Sequence, residues 1–174
     1  MFASEATIRK GLDKFADRLI KASQKPEGRG KDFIYILGDR VPLFESGTIS
    51  FTSGEQIIYK SQDDLDKKLK KWFTGYLIQR TRYYESEMGI EKPYKVRVKN
   101  MSSRYGSNSM QTHAISYASV LMYYTSDVID SVVVHELAHD KVKNHSKKFY
   151  DVVYKYCPDY KPLDKRLRKG IFHD

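Results

Sequence analysis

The chain has 174 residues, 40% apolar and 13% aromatic, which suits one globular domain with its own core and excludes a disordered segment. The lone cysteine, Cys157, excludes an internal disulfide and fits a reducing, cytoplasmic location. No apolar run approaches the roughly 20 residues that cross a bilayer as a helix, and the formal net charge is +9.

Met1-Phe2-Ala3 leads into a charged amphipathic stretch rather than a signal peptide. Ser4 to Ala22 places Ile8, Leu12, Phe15, Ala16, Leu19 and Ile20 on one stripe and predicts a helix, followed by a linker from Lys25 to Gly30. Residues 1–30 therefore read as a helix and linker preceding a domain over 31–174. Phe33–Leu37 and Val41–Phe44 flank Gly38-Asp39 as a hairpin, and Ile49–Thr52 with Gln56–Tyr59 form a second one across Ser53-Gly54. Ser61 to Met88 predicts the longest helix, with Ser61 and Asp64 as a capping pair. Leu65, Leu69, Trp72, Phe73, Tyr76 and Leu77 form its core face, and Gly89 is its stop.

Tyr94 to Lys99 alternates apolar and basic residues, the pattern of a strand with one wet face. His113 to Met122 reads as a further strand. The apolar run Val132-Val133-Val134 then enters a helix that Ser126 or Asp127 can cap. Asn144 suits the turn that ends this helix, because Asn tolerates the left-handed conformation. Ser146 caps a short helix through Phe149, Val152, Val153 and Tyr156 that stops at Pro158.

Chemistry concentrates in His135-Glu136-Leu137-Ala138-His139 and, five residues on, His145. On a helix the first two imidazoles stack one turn apart, and the turn at Asn144 can return His145 to them. Three imidazoles can hold one divalent ion, zinc first, with Mn, Co or Ni also compatible. Glu136 does not ligate; it stands beside the open position, where a carboxylate can deprotonate an attacking water. A structural zinc site would want further cysteines, and only Cys157 exists; that residue reads as a small core side chain. His113 and His173 read as surface or satisfied positions. Directly after the motif, Lys141 to Lys169 sets ten Lys or Arg against three Asp, a field that could draw an anionic substrate such as a nucleotide or nucleic acid. Asp140 is a weak candidate to hold a ligand imidazole, and Asp151 reads as a solvated acid.

Met101-Ser102-Ser103-Arg104-Tyr105-Gly106-Ser107, Ala114-Ile115-Ser116-Tyr117, the block from Val128 to His139, Asn144-His145-Ser146 and Phe149 together resemble the YgjP-like metallopeptidase domain. Tyr35-Ile36-Leu37-Gly38, Val41-Pro42-Leu43 and Trp72 add to the likeness, which spans about residues 33 to 169. The resemblance implies an α+β, zincin-like single domain related to SprT-like and WLM-type proteases. A small, mostly antiparallel sheet would pack against the HExxH helix and the long upstream helix. It further implies one zinc ion held by His135, His139 and His145, Glu136 as general base, and a peptide or protein substrate contacted by Arg104 and Tyr117. His113 to Met122 would be the sheet edge that holds the peptide. Tyr105 stands where the family usually has Trp and Ala118 where Asn is common, and the family's N-terminal β segment is not apparent. Nucleotide hydrolysis or cleavage of DNA-associated proteins at the same site are alternatives, and a non-enzymatic zinc-stabilised nucleic-acid-binding module is a third.

Overall fold

A computed structural model describes residues 27–51 and 54–173; the helix expected over Ser4–Ala22 lies outside them. Among the described residues, seven strands and four helices follow: β1 Phe33–Ile36, β2 Asp39–Pro42, β3 Gly47–Ser50, β4 Gln56–Tyr59, α1 Gln62–Glu87, β5 Lys95–Lys99, β6 Gly106–Ser109, β7 Ala114–Ala118, a 3-10 turn Ser119–Tyr123, α2 Ser126–Lys141, α3 Lys147–Tyr156 and α4 Tyr160–Lys169. The mixed α and β content is the class expected. The strands divide into two antiparallel hairpins and one three-stranded sheet of order β5-β7-β6, in which only the β5–β7 pair is parallel.

Local chemistry explains most boundaries. Leu37 and Gly38 take φ of 51° and 92°, so the first hairpin closes on a primed two-residue turn whose twist matches its strands. The Ser61 side chain accepts the Asp64 N–H at 3.2 Å, and Asp64 in turn accepts the Lys60 N–H at 3.0 Å, starting α1. Leu65, Leu69, Phe73 and Leu77, each four residues apart, are buried along one stripe, and Gly89 at φ 63° ends the helix. Trp72 and Tyr76 are half-buried beside that stripe, with Trp72 stacked on Phe51 at 4.4 Å.

α1 and α2 cross one face of the three-stranded sheet, where Val98, Ile115 and Tyr117 are buried. Arg80 clasps Asp130 through two bonds of 2.7 and 2.5 Å, and the Tyr84 hydroxyl adds a third at 3.2 Å, fixing α2 against α1.

Four expectations change. The stretch from His113 to Met122 is not one strand: His113 has φ 48°, β7 covers Ala114–Ala118, and the chain then winds into the 3-10 turn. β7 is also central rather than an edge; the edge toward α2 is β6, whose Gly-Ser-Asn-Ser composition lacks the branched or aromatic residues that mark strands. Thr125, not Ser126 or Asp127, is the N-cap of α2, with Asp127 Oδ1 accepting the Val128 N–H at 2.8 Å. α4 was not anticipated, because only Leu163 and Leu167 are buried in a segment otherwise dense in charge. No helix among the described residues is long and apolar enough to cross a membrane.

Candidate metal centre

Val133, Val134, Leu137 and Ala138 are fully buried, which fixes the rotation of α2 about its axis and turns His135 and His139 together toward one surface. The helix ends at Lys141. Val142 is extended (φ −138°, ψ 115°), its N–H reaching Ala138 O at 3.0 Å, and the following loop returns exposed His145 to the other two. Asn144 is not in the left-handed region, which among described non-glycine residues is occupied by Leu37 and His113; the extended Val142 makes the bend instead. Phe149, on the first turn of α3 and fully buried, lies under all three imidazoles at ring separations of 4.9, 4.6 and 4.8 Å.

One nitrogen from each of His135, His139 and His145 falls within 4.8 Å of the others. His135 Nδ1 lies 2.8 Å from the Tyr160 hydroxyl and His139 Nδ1 3.3 Å from the Val142 carbonyl, leaving Nε2 of each ring for a ligand. The Nε2 atoms of His135 and His145 face each other at 3.1 Å, so a proton or a cation must lie between their lone pairs. Nitrogens placed about 2.0–2.1 Å from one tetrahedral ion stand about 3.3 Å apart, so the donor set fits zinc with a fourth position left over. Burial, then the charges of His139 and His145, pushes His135 down to about 4, and burial also lowers His139. Both rings are therefore neutral near pH 7, the form that binds metal.

Glu136 is 6% exposed and meets the cleft beside this trio. Burial lifts its pKa to about 7, against the Asn108 backbone amide and the Arg104 guanidinium, which pull it down. Asn108 Nδ2 also donates to the Glu136 backbone carbonyl at 2.7 Å, tying β6 to α2. At Gly106 the backbone passes so close to Glu136 that an added Cβ would stand 2.7 Å from its Cγ and Cδ and nearer still to Oε1. The resulting cleft, about 600 Å³, has Arg104, Gly106, Asn108 and Met110 on one wall and His135, Glu136, His139, Lys143 and His145 on the other.

The structure thus brings His135, Glu136, His139, His145 and Arg104 to one cleft. Tyr117 is not among them: in the middle strand it points toward the helices, is fully buried, and its hydroxyl meets Thr81 Oγ1 at 3.2 Å. Asp140 holds no ligand imidazole; it accepts the Tyr94 hydroxyl at 2.9 Å. His113 bonds the Lys92 carbonyl at 2.8 Å and stacks on Tyr94, and His173 stacks on Tyr35. Cys157 is buried, its thiol pushed up to about 11. Sequence reasoning missed Tyr160, Gly106 and Asn108. The small residues of Gly106-Ser107 were a signal for close approach, whereas Tyr160 had none.

A family model described as YgjP-like, metallopeptidase domain, matches residues 3–170, a span beginning well upstream of residue 33. No curated protein matches the chain. Among solved structures, the metallopeptidase zymogen abylysin of Pyrococcus abyssi is 20% identical with a TM-score of 0.51, the likeness covering 56% of this chain and 97% of that one. The metallopeptidase zymogen jannalysin of Methanocaldococcus jannaschii is 17% identical with a TM-score of 0.50, covering 55% and 96% respectively. At these identities the two structures speak to the fold.

Proposed function

From the chain's membership of the YgjP-like metallopeptidase domain family, we propose that this peptidase is zinc-dependent, with His135, His139 and His145 as ligands and Glu136 as general base. The observation that carries the reading is the convergence of three imidazoles beside a buried carboxylate whose pKa stands at about 7, facing a cleft with an open strand edge. When bound, the metal supplies Lewis-acid polarisation to the scissile carbonyl and the attacking water. Glu136 takes a proton from that water as its oxygen adds to the carbonyl carbon. When the C–N bond breaks, the same carboxyl passes the proton to the leaving amine. A pKa near neutrality suits both transfers, since the group must gain and lose a proton in one turnover. β6, not the strand first expected, is the outer strand beside the cleft among the described residues, and an extended peptide can pair along it.

The basic segment does not favour a nucleotide or nucleic acid. Lys141, Lys147, Arg166 and Arg168 pair with Asp140, Asp151, Asp127 and Asp164, and of the segment's ten cations Lys143 is the one that lines the cleft.

The test is Glu136→Gln. Gln is nearly isosteric but accepts no proton, so peptide cleavage should fall about 10²–10⁴-fold while metal content stays at one per chain by elemental analysis. Cleavage at the wild-type rate, or a metal content unchanged by His139→Ala, refutes the assignment.

A further inference from the structure

Arg104 occupies an unusual place. It lines the metal-site cleft, and it also lines a second cavity of about 360 Å³ with Ser102, Ser103, Tyr105, Tyr123 and Phe172. Tyr105 lines both as well, so this pair stands between the two cavities. The walls of the second cavity are held from behind, where the hydroxyls of Tyr105 and Tyr124 both donate to the Leu167 carbonyl at 3.1 Å. Arg104 is exposed, and among the described residues it has no salt bridge and no hydrogen bond. Its charge nevertheless reaches the reacting centre, since it is one of the influences acting on Glu136.

The direction of the edge strand decides which part of a substrate meets this cation. Glu136 packs against Gly106, the first residue of β6, and Tyr105 and Arg104 come just before it. A peptide added to β6 in the antiparallel sense, the more stable pairing per residue, runs opposite to it. Its residues before the scissile bond then lie along Asn108 to Met110. Its residues after the bond, on the leaving-amine side, run toward Arg104 and the second cavity. An exposed guanidinium can bind a carboxylate bidentately, and the Ser102 and Ser103 hydroxyls beside it can donate to the same oxygens.

We propose that Arg104 and the cavity behind it form a carboxylate subsite for the leaving-amine side of the substrate, selecting peptides with an acidic side chain or a free C-terminus there. The inference rests on the peptidase reading for the chemistry at the scissile bond, but not for the binding itself. Lys143 is the other cation in the cleft, so the test must separate the two.

Fluorescent peptides are bound to the zinc-loaded Glu136→Gln protein and read by anisotropy. One pair differs by Glu or Gln after a candidate scissile bond, both as C-terminal amides; a second pair differs by a free or amidated C-terminus. At least one carboxylate form should bind about tenfold tighter than its neutral partner, and the pair that responds identifies the source of the carboxylate. Adding Arg104→Gln should abolish the difference, Arg104→Lys should retain part of it, and Lys143→Gln should leave it in place. Equal binding within both pairs overturns the proposal, as does a preference that survives Arg104→Gln or vanishes with Lys143→Gln. If discrimination follows Arg104 while the wild-type protein cleaves none of the peptides, the subsite stands and the peptidase reading fails.

Discussion

Gly106 has no chemistry of its own, yet it decides where the Glu136 carboxylate can sit. A Cβ at that position would stand 2.7 Å from Glu136 Cγ and Cδ, inside any real contact distance, so either the strand or the carboxylate must move. Because Asn108 fixes the Glu136 backbone from the same strand, the side chain is the part free to yield. Gly106→Ala is therefore expected to lower kcat/KM at least tenfold with metal content unchanged, since a small displacement of a general base is expensive in rate. It should also destabilise the fold by about 1–3 kcal/mol, as overpacking does. Wild-type turnover in this variant would mean the carboxylate moves without penalty. At this scale much was legible: the spacing of His135, His139 and His145 announces a shared site, because helical periodicity is a local property of the chain. Gly106-Ser107 hints at a close approach, but that β6 lies against Glu136, 30 residues on, is set by packing between strand and helix that no local pattern encodes.

The elements divide the same way. α1 was legible from Ser61 to Gly89 because its cap, its apolar stripe and its stop all act within a few residues. β6 and α4 were not, since each owes its conformation to neighbours: β6 to pairing with β7, and α4 to the burial of Leu163 and Leu167. The omission matters, because α4 opens with Tyr160, whose hydroxyl meets His135 Nδ1 at 2.8 Å while its ring stacks on the imidazole at 5.8 Å. Burial raises the Tyr160 phenol, so it remains neutral and able to accept the Nδ1 hydrogen. With a metal on Nε2, Nδ1 would carry the hydrogen and donate it to this oxygen, so the contact holds the ring in place for ligation. Tyr160→Phe keeps the ring and loses only the hydroxyl. Zinc affinity, measured by competition with a chelator, should then drop about 10–100-fold with the melting temperature of the metal-free protein nearly unchanged. An unaltered affinity would reduce Tyr160 to a packing residue.

For the molecule as a whole, building the site places a carboxylate where the fold disfavours its charge. The pKa of Glu136 is about 7 in the folded chain against an ordinary value of 4.5, the main cause being burial. The folded state thus holds a proton that the unfolded state has lost between pH 4.5 and 7, and stability falls as pH rises through that window. Above it the full penalty applies, about 3 kcal/mol for a shift of this size. His135 carries the opposite sign: its folded pKa of about 4 lies below the ordinary 6.5, so its contribution is present above 6.5 and is lost as pH falls toward 4. The two groups together make the metal-free protein most stable between those losses. A variant comparison isolates the carboxylate, because His135 titrates alike in both proteins. In urea unfolding without metal, Glu136→Gln should be more stable than wild type by about 3 kcal/mol at pH 8.5, with the gain shrinking to near zero at pH 4.5. A gain independent of pH would trace to packing or helix propensity rather than charge, and no gain at pH 8.5 would mean that Glu136 is solvated in the folded protein. Either result would remove the basis for a general base poised at neutrality, since the same burial that destabilises the fold is what raises the carboxyl to the pH at which it must work.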